Sequence, residues 1–70
     1  MAKLTEGQWR VGVNFNPSGN ADVDLVKTKA AELIDLIDKV GNDGRCTALA
    51  MNALEDGAMW CVKSITKQPR

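Results

Sequence analysis

"ADVDLVKTKAAELIDLIDKVGNDGRCTALAMNALEDGAMWCVKSITK", residues 21–67, decides the fold. Val23, Val26, Ala30, Leu33, Ile34, Ile37 and Val40 recur at helical spacing and predict a first helix from about Ala21 to Val40. Asn20 is placed to cap it, Asp22 and Asp24 suit its positive start, and Lys39 suits its end. Gly41 stops it. "GNDG" is a turn, and a second helix follows from about Arg45 to Lys67. Two long helices joined by so short a loop predict an antiparallel helical hairpin.

The second helix carries more apolar surface than one neighbour can cover. Its polar side chains, Asn52, Glu55, Asp56 and Lys63, fill one sector. The remainder, roughly 220° of arc at ~100° per residue, is apolar or small, whereas a single partner helix needs an arc of a little over ~100°. Cys46, Ala50, Ala53, Gly57 and Ser64 make a ridge of small residues within it, where another backbone can approach closely. The helix therefore packs on its hairpin partner and on other copies of the chain.

Upstream the pattern changes. Trp9, Val11, Val13 and Phe15 alternate with Arg10, Gly12 and Asn14, a period of two that predicts an extended segment. A lone strand must lie along a helix or pair with another subunit. "NPSGN" ends this arm: Pro17 fixes φ and Gly19 supplies a permissive corner. Residues 1–8 read as a flexible lead-in, 9–19 as the arm, and 9–70 as one hairpin domain.

The 70 residues allow one domain at most, and its formal charge is zero, nine Lys and Arg against nine Asp and Glu. That balance argues against a duplex-DNA binder. No apolar run approaches the ~20 residues of a membrane span, and "MAKLTEGQ" is no signal peptide. There is no histidine and no CxxC pair, so no metal site or cofactor is expected. Cys46 and Cys61 on one helix stand about 22 Å apart at ~1.5 Å per residue, too far to bridge, and read as small apolar groups in a reducing compartment. A chain this short buries only about 60% of its unfolded surface, so self-association is the remaining source of stability.

Enzymology has little support. Without histidine there is no ordinary Ser-His or Cys-His couple, and Glu55 and Asp56, adjacent on a helix, point about 100° apart. Residues 14–29 suit a small nucleotide better. Lys27 and Lys29 offer cations, Ser18-Gly19-Asn20 offers backbone N–H groups at a helix start, Phe15 offers a flat face, and Asn14 and Asn16 offer amides for base edges. Each has a plainer reading beside it. Phe15 continues the apolar side begun by Trp9, Asn16 before Pro17 is a turn former, and Lys29 snorkels past Leu25, Leu33 and Leu36. Arg45 at a helix start is a poorly placed cation, which points to an external anion.

"RVGVNFNPSGNADVDLVKTKAAELIDLID" followed by "GRCTALAMNALEDGAMWCVKSITK" resembles the small phage proteins that share a helical hairpin domain and sequester cyclic nucleotide signals, the anti-CBASS and anti-Thoeris sponges. The most specific parts are Phe15-Asn16-Pro17 and "ALEDGAMW", Ala53 to Trp60. The resemblance implies a hexamer of helical hairpins without enzymatic activity, acting in the cytoplasm of the infected bacterial host. It implies cyclic dinucleotides held between subunits, with cyclic trinucleotides near a threefold axis in some members and cyclic ADP-ribose derivatives in the anti-Thoeris relatives. By position, the family's base-stacking aromatic, commonly Tyr, falls on Phe15 and its helix-borne cation on Lys27, with Lys29 an alternative register. A basic residue tied to the trinucleotide site falls on Lys67, and the Arg that starts the second helix falls on Arg45. Phe15 lacks the Tyr hydroxyl, and Lys67 offers a point charge where arginine would offer a fork.

The expected protein is thus an all-α, antiparallel two-helix hairpin with an extended N-terminal arm, assembled as a homo-oligomer, with Phe15, Asn14, Asn16, Pro17, Lys27, Lys29, Arg45 and Lys67 as ligand-binding candidates. Its expected ligand is a cyclic dinucleotide or trinucleotide, with neither duplex nucleic acid nor a membrane as partner. The competing readings are a sponge for cyclic ADP-ribose-type signals and a structural hairpin module whose arm docks on another protein.

Overall fold

The computed structural model describes residues 3–68 as three helices, α1 Glu6–Val11, α2 Ala21–Val40 and α3 Gly44–Thr66. No strand occurs among the described residues. None of their helices is long and apolar enough to cross a membrane.

The hairpin follows from its caps. Asn20 accepts the Asp22 N–H at 2.7 Å and starts α2, and the Gly41 N–H closes its last turn on the Ile37 carbonyl. Gly41 needs no unusual φ; its missing side chain matters because a Cβ there would crowd Thr47, with Cγ2 at 2.9 Å. Asp43 starts α3 by accepting the Cys46 N–H at 2.7 Å. That bond holds the Asp43 carboxyl below its ordinary 3.8. A carboxyl whose pKa is lower folded than unfolded adds stability above the unfolded value and loses it as pH falls through the folded one. The contribution is complete at neutral pH and disappears below 3.8. Asp43→Asn keeps a capping oxygen but cannot titrate, so its melting temperature should fall less steeply on acidification. An acid limb identical to that of the parent would rule out Asp43 as the titrating group.

The extended arm is corrected. Residues 6–11 are helix α1, so Glu6 to Gln8, expected in the flexible lead-in, form its first turn. Thr5 and Gln8 make a reciprocal capping box: Thr5 Oγ1 accepts the Gln8 N–H at 3.1 Å and Gln8 Oε1 accepts the Thr5 N–H at 3.0 Å. Gly12 ends the helix at φ 62°, with its N–H on Trp9 O and the Val13 N–H on Gln8 O, a Schellman closure. Six residues are too few to hold a helix by themselves. Gly7 lies buried against α2 and donates its N–H to Asp35 Oδ1 at 2.7 Å. Arg10 ties α1 to α3, with Nη1 on Asn52 Oδ1 at 2.8 Å and on Glu55 Oε1 at 3.2 Å. Its Nε also meets Glu6 at 2.7 Å. Glu6 first, then Glu55, raises the guanidinium pKa above its ordinary value.

The interior is thin. Val23, Ala31, Ile34, Met51 and Ala58 are its buried apolar residues, joined by Lys27. The buried face of α2 is therefore rotated toward Lys27 and Ala31, and Leu33 and Val40 of the expected stripe are exposed. The Cα envelope measures 43 × 32 × 12 Å. Two stacked helix layers would need roughly 13–15 Å, from an interaxial distance of ~8–10 Å plus the backbone cylinders. The chain is a slab with two open faces, and Trp9, Phe15, Leu25, Leu36, Leu49, Met59 and Trp60 stand exposed on it.

Candidate functional site

The turn between α1 and α2 is built around two side chains, Asn16 and Lys27. Asn16 Nδ2 donates to Asn20 O at 2.9 Å and to Asp24 Oδ1 at 3.0 Å, while its Oδ1 accepts from Ser18 at 2.6 Å. The Asn20 N–H returns to Ser18 Oγ at 3.1 Å. Gly19 sits at φ 67°, where an L side chain would be strained. Asn16 thus spends its amide on the loop.

Lys27 is 8% exposed, although it lies only two turns into α2. Its ammonium donates to Gly12 O at 3.1 Å and to Phe15 O. It lies 5.5 Å from the centroid of the Phe15 ring, within cation–π range. The ion pairs found among the described residues belong to Arg10, and none involves Lys27.

Phe15 is 68% exposed, so its ring is not core. It lines a groove of about 450 Å³ with Val11 and Lys27 on one side and Glu55, Ala58, Met59, Val62, Lys63 and Thr66 of α3 on the other. A smaller hollow of about 220 Å³ shares Phe15, Lys27, Val62 and Thr66 with it and adds Asn16, Pro17, Ser18 and Val23. A flat aromatic face, an apolar wall and two ammonium groups meet there. This combination suits a planar base joined to an anionic group.

The eight candidates divide accordingly. Phe15, Asn16, Pro17 and Lys27 come together at these hollows. Asn14 is exposed next to them in the chain but lines neither. Lys29, two positions from Lys27, leaves α2 about 200° away and faces elsewhere. Arg45 lies about 32 Å from Thr66 along α3 at ~1.5 Å per residue. Lys67 caps the end of α3 next to Thr66 and is exposed. One chain therefore gathers Phe15 and Lys27 but leaves Lys29 and Arg45 remote.

Two residues that the sequence placed only in the polar sector of the second helix also line the groove. Lys63 lines the groove and rests 5.1 Å from the Trp60 ring. Its spacing of four from Met59 and three from Trp60 was the available signal. Glu55, pinned by Arg10, adds the groove's carboxylate. Nothing in the local sequence pairs Arg10 with a residue forty-five positions away.

A family model described as "Acb2/Tad1, hairpin domain" matches residues 7–66. The chain belongs to that family. The Acb2/Tad1 family is that of the anti-CBASS and anti-Thoeris sponges, which are sponge proteins rather than enzymes. No curated protein and no solved structure matched the chain. The Acb2/Tad1 match begins at Gly7, so it takes in α1 from its second residue onward.

Proposed function

We propose that this chain captures cyclic oligonucleotide messengers, cyclic dinucleotides first, and withholds them from bacterial immune effectors without cleaving them. Membership of the sponge family supports the class of ligand. The observation that carries the reading to particular residues is the exposed Phe15 ring beside Lys27, a largely buried ammonium with no carboxylate partner among the described ion pairs. A base stacks on the ring, and phosphate charge is answered by Lys63, exposed on the groove wall and in no ion pair among the described residues. Copies of the chain assemble into a homo-oligomer, a hexamer by family resemblance, acting in the infected cell's cytoplasm. Neighbouring copies close the groove, because a slab offers no full enclosure for a nucleotide. Lys29 and Arg45, remote from the groove of their own chain, reach ligand only across such a boundary, whereas Lys67 directly follows the groove residue Thr66.

Competition with a receptor calls for affinity near nanomolar, about −12 kcal/mol. Calorimetry against cyclic di- and trinucleotides and cyclic ADP-ribose isomers tests the reading. The ligand should come back intact when the complex is heat-denatured; a linear product would end the sponge interpretation. Phe15→Ala should weaken binding by about 1–3 kcal/mol, the value of one base–aromatic stack, without altering the assembled mass. Unchanged affinity in that variant would make Phe15 a bystander.

A further inference from the structure

We infer that Lys27 is a positioning residue that fixes the Phe15 ring, rather than the main contact for the ligand's charge; the inference rests on the nucleotide-binding reading above. An ammonium has three N–H donors. Two of those on Lys27 are committed to the carbonyls of Gly12 and Phe15. The Phe15 N–H closes the same turn on Gly12 O at 2.9 Å. Phe15 is thus held at both its backbone N–H and its carbonyl, while its side chain stands free in the groove. Gly12 is also the left-handed cap of α1, so one side chain from α2 joins the end of α1 to the ring-bearing residue.

Little of Lys27 remains to offer a ligand. At 8% exposure it presents one donor and almost no surface, unlike Lys63, which is exposed on the groove wall. Its neighbours leave it no substitute either. The carbonyls of Gly12 and Phe15 would lose a buried donor if it were removed, which is costlier than losing an exposed contact. The ring, 5.5 Å away, would lose the cation that orients it.

The test is a double-mutant cycle with cyclic GMP–AMP as the probe, made in the full chain. Lys27→Met should weaken binding roughly tenfold in the parent, but less than about threefold once Phe15 is alanine, because interacting residues are not additive. Equal losses in both backgrounds would show direct charge contact and overturn the inference. Amide exchange of the unliganded protein supplies a second readout. In Lys27→Met the Phe15 N–H should exchange roughly tenfold faster, while Ile34 and Met51 keep their rates, as local opening requires. Unchanged exchange at Phe15, or equal acceleration at all three, would also overturn it. If the parent binds none of the cyclic nucleotides the proposed function fails, and exchange at Phe15 alone then decides whether Lys27 holds the turn.

Discussion

Gly7→Ala should lower the unfolding free energy by about 3 kcal/mol, the upper end of what overpacking costs. The reason is a crossing of two backbones. A Cβ on Gly7 would overlap Ala31 O and stand 2.8 Å from Ala31 C and Cα. These are main-chain atoms of α2, in the middle of a twenty-residue helix, and cannot swing aside as a side-chain tip would. Relief requires α1 to lift off. That breaks the Gly7 N–H bond to Asp35 and strains the Arg10 ties to Asn52 and Glu55. For a domain whose total stability is of the order of 5 kcal/mol, the loss leaves a marginal fold. Urea denaturation measures it directly. Adding Ala31→Gly should not restore the midpoint, because the obstructing atoms stay in place. A wild-type midpoint in Gly7→Ala would mean that α1 does not cross α2 so closely.

That crossing also explains what was legible in the sequence. The hairpin could be read because each helix declared itself locally: Asn20 and Asp43 cap, Gly41 stops, and apolar residues recur at helical spacing. α1 carried signals as well, Thr5 with Gln8 three positions on and Gly12 at the end, but six residues leave no room for periodicity to show. The alternation of Trp9, Val11, Val13 and Phe15 imitated a strand instead. Gly7 carries no local signal of its role, although it is the one residue small enough for the contact with Ala31. At the site, Phe15 and Lys27 could be found because they are of unusual type for their places. The commitment of Lys27 to two carbonyls was not visible, since it depends on how Gly12 turns the chain back over α2. Asn16 could be read as a turn former from Pro17 beside it, and its three hydrogen bonds within the loop agree.

Leu49→Glu and Trp60→Glu should each break the proposed homo-oligomer into smaller species and weaken cyclic-nucleotide binding by a factor of about one hundred, ~2.7 kcal/mol. Cys46, Leu49, Ala50, Ala53, Gly57, Trp60, Cys61 and Ser64 share an arc of roughly 120° on α3, at ~100° per residue, and none is charged. A Cβ on Gly57 would meet nothing within 4 Å, so this face is open in the single chain. Leu49 and Trp60 are its two large side chains, more than half exposed. Covering each is worth about 1.5–3 kcal/mol, and a glutamate in its place must lose its water to be covered. The two variants differ in one respect. Trp60 carries the ring under Lys63, a groove residue, whereas Leu49 lies two turns or more from any residue of the groove on α3 other than Glu55. A binding loss in Leu49→Glu therefore comes through the missing neighbour, and the excess in Trp60→Glu measures the lost support of Lys63. Light scattering at micromolar concentration gives the mass and calorimetry the affinity. Leu49→Glu with the parent's mass would remove this face as a contact between copies. A dissociated Leu49→Glu that binds as tightly as the parent would show that one chain completes the site alone.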